Sequence, residues 1–384
     1  MPVDSSADHS RVDHSRVDHS SADHSSSGRR NADPRGASRS ALDQPRTDPS
    51  SCGPPLAGRR VLVTGASSGI GAATARAIVA AGGQVALVAR SKDRLDALAG
   101  ELEELGLSAA GVEDTGVEPR SGAGQGRGAG QGRGAGQGRG AGQGRGAGQG
   151  RGADQGSVRA PRALVVTADV VDPASARAAV DAAAVEFEGL DAVVNAAGVA
   201  RPGPIATTSP SDWQLTFDVN VRGLLHVTQA ALPHLTAAAR AELRAAAPAE
   251  GPAAARAEPR AAAPAADAAG SPADIVNVSS MSGRRVGSPA MGVYAASKAA
   301  VHALSGALRS EVSGDGIRVS VIAPGFVRTP IFEGQDTDAA RTLGTKGEEV
   351  GLPPEQVADR IVEVLAAPPG LVHVEVAMVS LEQG

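Results

Sequence analysis

The chain has 384 residues, a formal net charge of −5 and a sequence pI near 5.9, with 49 glycines and only 2% aromatic residues. That balance gives no electrostatic reason to expect nucleic acid or an anionic membrane as a partner. A single cysteine, Cys52, excludes an internal disulfide framework, and no apolar run reaches the roughly 18 residues needed to span a bilayer.

The first residues carry Asp and His where a secretory signal needs a basic start and an apolar core, so a soluble cytoplasmic protein is expected. Residues 1–57 are polar and echo the pentad Asp-His-Ser-Arg-Val from Asp8 and Asp13. His9, His14, His19 and His24 recur in it, and a His-rich tract can bind metal. With no apolar anchor, however, this composition predicts a disordered tail and no metal site.

Order is predicted to begin at Arg60–Thr64, an apolar β-branched run typical of a strand buried on both faces. The Gly-rich turn Gly65-Ala-Ser-Ser-Gly-Ile-Gly71 and a helix over 72–81 follow. A turn of this kind between strand and helix lets backbone N–H groups approach a pyrophosphate, with the helix N-terminus favouring its charge. Its spacing is G-x-x-x-G-x-G rather than G-x-G-x-x-G. A second strand, Gln84–Ala89, ends in Arg90, where an acidic residue would bind the adenosine ribose hydroxyls. Arg90 instead suits a 2′-phosphate, which favours NADP(H) over NAD(H).

A helix over 92–105 places Leu95, Leu98, Leu102 and Leu105 at helical spacing. The hexapeptide Gly-Ala-Gly-Gln-Gly-Arg then repeats from Gly122 to Arg151, inside a predicted flexible insertion over 111–160. Its arginines lack interleaved aromatics, so nucleic acid is not expected there. A third strand over 163–168 leads to Asp169 and Val170, a helix over 173–187 follows, and a fourth strand over 191–195 opens the turn Asn195-Ala-Ala-Gly198. Helices reach Asn220 and then run over 221–240, and a Pro-punctuated segment over 241–272 reads as a second disordered insertion. The fifth strand, 274–278, delivers Ser279-Ser280. A helix over 293–312, a sixth strand over 317–322 ending at Pro324-Gly325, a polar loop, a helix over 354–365 and a last strand near 371–379 complete the series.

Strands alternating with helices, each strand apolar throughout, predict an α/β fold: a doubly wound parallel sheet covered on both faces. Removing the tail and both insertions leaves about 245 residues, a suitable size for one such domain. Both insertions join a helix to the next strand and are expected at the N-terminal edge of the sheet, away from the carboxyl edge where ligands bind.

In the penultimate helix of this series Tyr294 and Lys298 stand four residues apart and share one face. An ammonium beside a phenol favours the phenolate, so the pKa of Tyr294 is expected to fall toward the range useful for proton transfer. The pattern Y-x-x-x-K alone is common on ordinary helices, where it is a half-buried Tyr and a solvated Lys.

The ordered set Thr64-Gly-Ala-Ser-Ser-Gly-Ile-Gly71, Asn195-Ala-Ala-Gly198, Asn220, Ser280, Tyr294-x-x-x-Lys298 and Pro324-Gly325 resembles the short-chain dehydrogenases/reductases, over nearly all of 58–384 outside the insertions. The resemblance implies a single Rossmann domain over 58–384 and hydride transfer between NADP(H) and a carbonyl or secondary alcohol. In it Gly65, Ser67, Gly69, Ile70 and Gly71 line the pyrophosphate, and Arg90 reads the 2′-phosphate. Asp169 and Val170 contact the adenine, and Asn195 braces the central strands and the ribose side. Val327 and Thr329, beyond Pro324 and Gly325, hold the nicotinamide carboxamide. Tyr294 is the general acid or base, and Lys298 lowers its pKa and binds the nicotinamide ribose. Ser280 binds the substrate oxygen, and Asn220 fixes a water in the proton relay.

Three features depart from the family. Ala196 replaces its usual second Asn, the gap from Ser280 to Tyr294 is one residue longer, and the insertions are additional. Ser279 and Ser282 therefore stay open as alternatives to Ser280. Residues 199–205, 281–291 and a loop over 326–350 are expected to wall the substrate pocket. The segment from Leu352 to the last strand resembles a branch of the family acting on small hydroxy acids and related alcohols. The resemblance also implies a homodimer or homotetramer. A non-catalytic NADP(H)-binding regulator and an interaction scaffold are the alternative readings.

Overall fold

Seven parallel strands form one sheet in the computed structural model, which describes residues 54–110, 162–246 and 272–383. They are β1 (Arg60–Thr64), β2 (Gln84–Ala89), β3 (Ala163–Thr167), β4 (Ala192–Asn195), β5 (Ala273–Val278), β6 (Ile317–Pro324) and β7 (Glu375–Met378). Their spatial order is β3-β2-β1-β4-β5-β6-β7. The order reverses between β1 and β4, and such a switch point opens a crevice at the carboxyl ends of the strands.

Eight α-helices cover the faces among the described residues: α1 (Gly69–Ala80), α2 (Lys92–Ala110), α3 (Pro173–Glu186), α4 (Pro210–Phe217), α5 (Leu224–Ala246), α6 (Gly292–Val312), α7 (Asp338–Val350) and α8 (Pro354–Leu365). Alternate strand residues feed opposite layers, which is why the strands read as apolar throughout. Val61 and Val63 of β1 pack with α1, α2 and α8, while Leu62 packs with α3, α5 and the end of α6.

Several expectations are corrected in detail. Leu56 is fully buried in the first layer, so packing starts before residue 58. Helix α5 continues to Ala246 because the first proline beyond its own Pro233 is Pro248. The polar loop expected before residue 350 contains α7, whose buried face is only Ala340, Leu343 and Gly347. Gly344 and Gly347 weaken the helical signal there, while Thr337 caps the helix by accepting from the Ala340 amide at 3.1 Å. The strand expected near 371–379 is reduced to Glu375–Met378. The rest of the expected tail and the two insertions lie outside the described residues. The chain leaves α2 and α5 and re-enters β3 and β5, so both gaps are anchored at the N-terminal edge of the sheet.

That same edge is tied by a buried charge cluster. Arg318 of β6 grips Asp274 of β5 with two bonds, Nε to Oδ1 at 2.7 Å and Nη2 to Oδ2 at 2.9 Å. Arg59 adds a bond to Oδ2 at 2.7 Å, and Arg318 Nη1 donates to the carbonyls of Ala367, Pro368 and Leu371. The Asp274 side chain is 1% exposed and that of Arg318 5%, so the charges are desolvated but multiply bonded. Removing one partner of such a cluster strands the others. Asp274→Ala is expected to lower unfolding free energy by about 3–5 kcal/mol, read by urea denaturation.

Candidate active site

The turn between β1 and α1 lies backbone to backbone against the residues after β4. Gly65 has φ +68°, and a Cβ there would stand 2.8 Å from Ala197 Cα. A Cβ on Gly71 would stand 2.4 Å from the Gly65 carbonyl oxygen. The Thr64 hydroxyl locks the two loops together by accepting from the amides of Ala196 and Ala197, each at 3.1 Å. Only glycine permits this approach.

The start of α1 is left open. Its N-cap, Ser68, makes no side-chain cap bond, and its first turn has no acidic residue. By contrast, side chains cap α3 (Asp172), α4 (Ser209) and α7 (Thr337). The open N–H groups face a cavity of about 900 Å³ lined by Gly65, Ser67, Gly69, Ile70 and Gly71. Unsatisfied amides and a positive helix end fit the pyrophosphate of a dinucleotide.

At one end of the cavity stand Arg90, Asp169 and Val170, as expected. Asp169 Oδ1 also accepts from the Val171 amide at 3.0 Å, which shapes the turn after β3. Arg94 lines the same end and was not foreseen. Its signal was present: it lies four residues after Arg90, in the first turn of α2. Neither arginine forms an ion pair among the described residues, so two guanidinium groups stand available to a phosphate.

At the other end α6 brings in Tyr294 and Lys298, 8% and 5% exposed. The Lys298 ammonium donates to the Val278 carbonyl at 2.8 Å and lies 5.8 Å from the centre of the Tyr294 ring. Ser280 is the side chain that acts on the Tyr294 phenol, favouring its phenolate, and its hydroxyl donates to the Pro324 carbonyl at 3.5 Å. Ser280 Oγ accepts from the Ser282 amide at 3.0 Å. Ser279 turns away and donates to the Lys298 carbonyl at 3.0 Å, fastening α6 to the end of β5. Of the three serines left open by the sequence, Ser280 is the one that meets the phenol.

Asn220 sits in a π-helical turn, Asp218–Gly223, between α4 and α5. Its Oδ1 accepts from the Val199 amide at 2.8 Å, and its Nδ2 donates to the Val199 carbonyl at 2.9 Å and to Ser297 Oγ at 3.0 Å. A Cβ placed on Gly198 would be 3.3 Å from Asn220 Oδ1 and 3.5 Å from Lys298 Nζ, so both polar groups flank one glycine. Asn195, by contrast, does not line the cavity. Its Nδ2 donates to Asn277 Oδ1 at 2.9 Å and Thr228 Oγ1 at 3.2 Å, a buried network that braces β4, β5 and α5. The structure keeps the bracing role expected of Asn195 and removes its side chain from the cofactor side.

Burial also overturns the expected titration of the pair. It pushes the Tyr294 phenol up to about 12, with the Ser280 hydrogen bond acting in the opposite direction. It pulls the Lys298 ammonium down to about 8. Desolvation wins over the attraction because the ammonium's bond goes to the Val278 carbonyl, not to the phenol.

Beyond β6, Pro324, Gly325, Val327 and Thr329 line the cavity. Val327 bridges to Leu352, and the Thr329 methyl lies 3.0 Å from where a Cβ on Gly69 would stand, joining this loop to the glycine turn. Ala200, Met291, Tyr294 and Leu343 form an apolar cluster with Phe326, Ile331 and Phe332. Helix α7 supplies Thr342, Leu343 and Lys346 to this wall, the segment expected to be a loop.

A family model described as short chain dehydrogenase matches residues 59–117 and 259–340, and one described as Enoyl-(Acyl carrier protein) reductase matches 149–243. The chain belongs to the short-chain dehydrogenase/reductase family. Glycine betaine reductase ATRR of Emericella nidulans is 30% identical over 317 residues, 82% of this chain but only 18% of that much longer protein. A short-chain dehydrogenase from Burkholderia cenocepacia, solved with NADP, is 24% identical with a TM-score of 0.56, covering 84% of this chain and 97% of that one. The 3-ketoacyl-(acyl-carrier-protein) reductase of Brucella melitensis, solved with NADH, is 21% identical with a TM-score of 0.56, covering 84% and 98%. Membership makes the chain an oxidoreductase, and the open amides of α1 and the glycine cradle fit a dinucleotide.

The depressed Lys298 pKa has a thermodynamic consequence. Between about 8 and the ordinary 10.5, the unfolded chain holds a proton that the folded chain has lost, so stability rises with pH across that window. Relative to Lys298→Met, the wild type is expected to gain about 2–3 kcal/mol between pH 7.5 and 10, measured by denaturant titration.

Proposed function

We propose that this short-chain dehydrogenase/reductase catalyses hydride transfer between NADP(H) and a carbonyl or secondary alcohol. The observation that carries the reading is the convergence of Ser280, Tyr294 and Lys298 at one end of a cavity that the uncapped helix α1 also faces, with Asn220 outside the lining and bonded to Val199 and Ser297. Gly65, Ser67, Gly69, Ile70 and Gly71 would hold the pyrophosphate, Asp169 and Val170 the adenine, and Pro324, Gly325, Val327 and Thr329 the nicotinamide. Arg90 and Arg94 would hold the 2′-phosphate, which favours NADP(H) over NAD(H).

When bound, the nicotinamide supplies or accepts the hydride. The chain's own part is positioning and proton delivery. In reduction, Ser280 binds the substrate oxygen and Tyr294 gives it the phenolic proton. Burial keeps the phenol protonated at neutral pH, the form the acid role starts from. Lys298 holds positive charge beside the phenolate that forms and would bind the ribose hydroxyls. Asn220, through Ser297, fixes the first turns of α6, because the Ser297 hydroxyl also donates to the Tyr294 carbonyl at 2.7 Å. The cluster of Met291, Phe326, Ile331, Phe332 and Leu343 fits a substrate with an apolar flank beside its carbonyl.

Tyr294→Phe is expected to lower turnover by about 10²–10⁴-fold while NADPH binding, followed by its fluorescence, stays within a few-fold. Full turnover in that variant would sink the assignment. NADPH binding by the wild type with no turnover of any ketone or alcohol would favour a regulator instead.

Arg90→Ala and Arg94→Ala should each raise KM for NADPH by about tenfold or more and leave KM for NADH nearly unchanged. Equal effects on the two cofactors would remove the 2′-phosphate role.

A further inference from the structure

The loop 325–329, which reaches the nicotinamide end of the cavity, has two amides whose partners lie at the far end of the sequence. The Gly325 amide donates to the Met378 carbonyl at 2.7 Å, where β7 ends. The Phe326 amide donates to the side-chain Oε1 of Gln383 at 2.9 Å. The acceptor must be the amide oxygen, since the NH₂ of glutamine can only donate. On its other side the loop is held by Leu352, which donates to the Phe326 carbonyl at 2.9 Å and accepts from the Arg328 amide at 3.0 Å.

Gly325 and Gln383 are fitted to each other. A Cβ at Gly325 would stand 2.2 Å from Gln383 Oε1, 2.7 Å from its Cδ and 2.8 Å from its Nε2. Gly325 has no positive φ. A side chain at 325 would therefore push the Gln383 carboxamide, the free end of a flexible side chain, off the loop. Gln383 and Val379 also line the cavity alongside Pro324, Gly325 and Val327.

Polar bonds place the segment that carries Gln383. It forms a short 3₁₀ turn, Leu381–Gln383, in which the Gln383 amide donates to the Ser380 carbonyl at 3.1 Å. The Ser380 hydroxyl donates to the Val350 carbonyl at the end of α7. Leu381 is 98% exposed, so hydrophobic burial of its side chain does not hold the turn in place.

We infer that Gln383 is a positioning residue for the nicotinamide end of the site, its carboxamide clamping the loop of Gly325 to Thr329 in the conformation that receives the cofactor. The inference rests on the reading of this cavity as a nicotinamide site. The clamp itself is a property of the chain alone and can be tested with no cofactor present.

The test is hydrogen exchange of peptides covering 325–329, with and without NADPH, in the full chain and in Gln383→Ala, Gln383→Glu and Leu381→Ala. Loss of the acceptor should speed exchange of the Phe326 amide by about three- to tenfold or more and weaken NADPH binding by a similar factor. Gln383→Glu keeps an acceptor oxygen and should restore both, and Leu381→Ala should change neither. The melting temperature of Gln383→Ala should stay within about 2 °C of wild type, since little apolar area is lost. Unchanged exchange at 325–329 in Gln383→Ala would overturn the inference, as would faster exchange spread over β6 and β7 with a general loss of stability. A wild type that binds no NADPH would remove the cofactor reading, and the exchange at 325–329 would still decide the clamp.

Discussion

The hydrogen bond from the Lys298 ammonium to the Val278 carbonyl is the contact on which the site depends. An ammonium 5% exposed needs an acceptor, and the last residue of β5 offers a carbonyl at the point where the ladder with β6 stops. The Ser279 hydroxyl returns the contact by bonding the Lys298 carbonyl. Together they seat α6 against the carboxyl edge of the sheet. From that seat Tyr294 meets Ser280, and Ser297 reaches Asn220. Burial raises the phenol and lowers the ammonium, so desolvation sets the electrostatic state of the pair.

The two edges of the sheet divide stability from chemistry. Along the N-terminal edge, Asp274, Arg318 and Arg59 bind β1, β5, β6 and the residues after α8 through a desolvated charge cluster. At the carboxyl edge, glycine turns, an open helix start and short loops leave space. The gaps before β3 and β5 both open at the first edge. The glycine turn, in contrast, admits no addition even of a methyl group, because Ala197 and Gly65 occupy that space.

Local pattern carried most of the elements. Six of the seven strands lie within a residue or two of where their apolar runs end, since a strand covered on both faces is apolar along its whole length. Helix α7 escaped because its buried face is three small or isolated residues interrupted by glycine, and packing over Phe326 rather than propensity makes it a helix. The residues of the glycine turn, Arg90, Asp169, Ser280, Tyr294, Lys298 and the loop after Pro324 were all legible, and the structure gathers them around one cavity. Asn195 was legible as a bracing residue, but which way its carboxamide faces depends on Asn277 and Thr228, residues 82 and 33 positions away.

By itself the sequence determined what is encoded over a few neighbouring residues: the alternation of elements, the glycine cradle, and a phenol and an ammonium on one helical face. Tertiary structure decided what depends on partners distant in the chain. It selected Ser280 over Ser279 for the phenol, because the end of β5 presents alternate side chains in opposite directions. It reversed the expected titration of Tyr294, because burial is a property of the assembled site. It also brought Gln383 onto Gly325, 58 positions apart, a contact that exists only because β7 lies beside β6. A phenol's neighbours along the helix can be read from spacing; the dielectric around it and the side chains facing it across the cavity cannot.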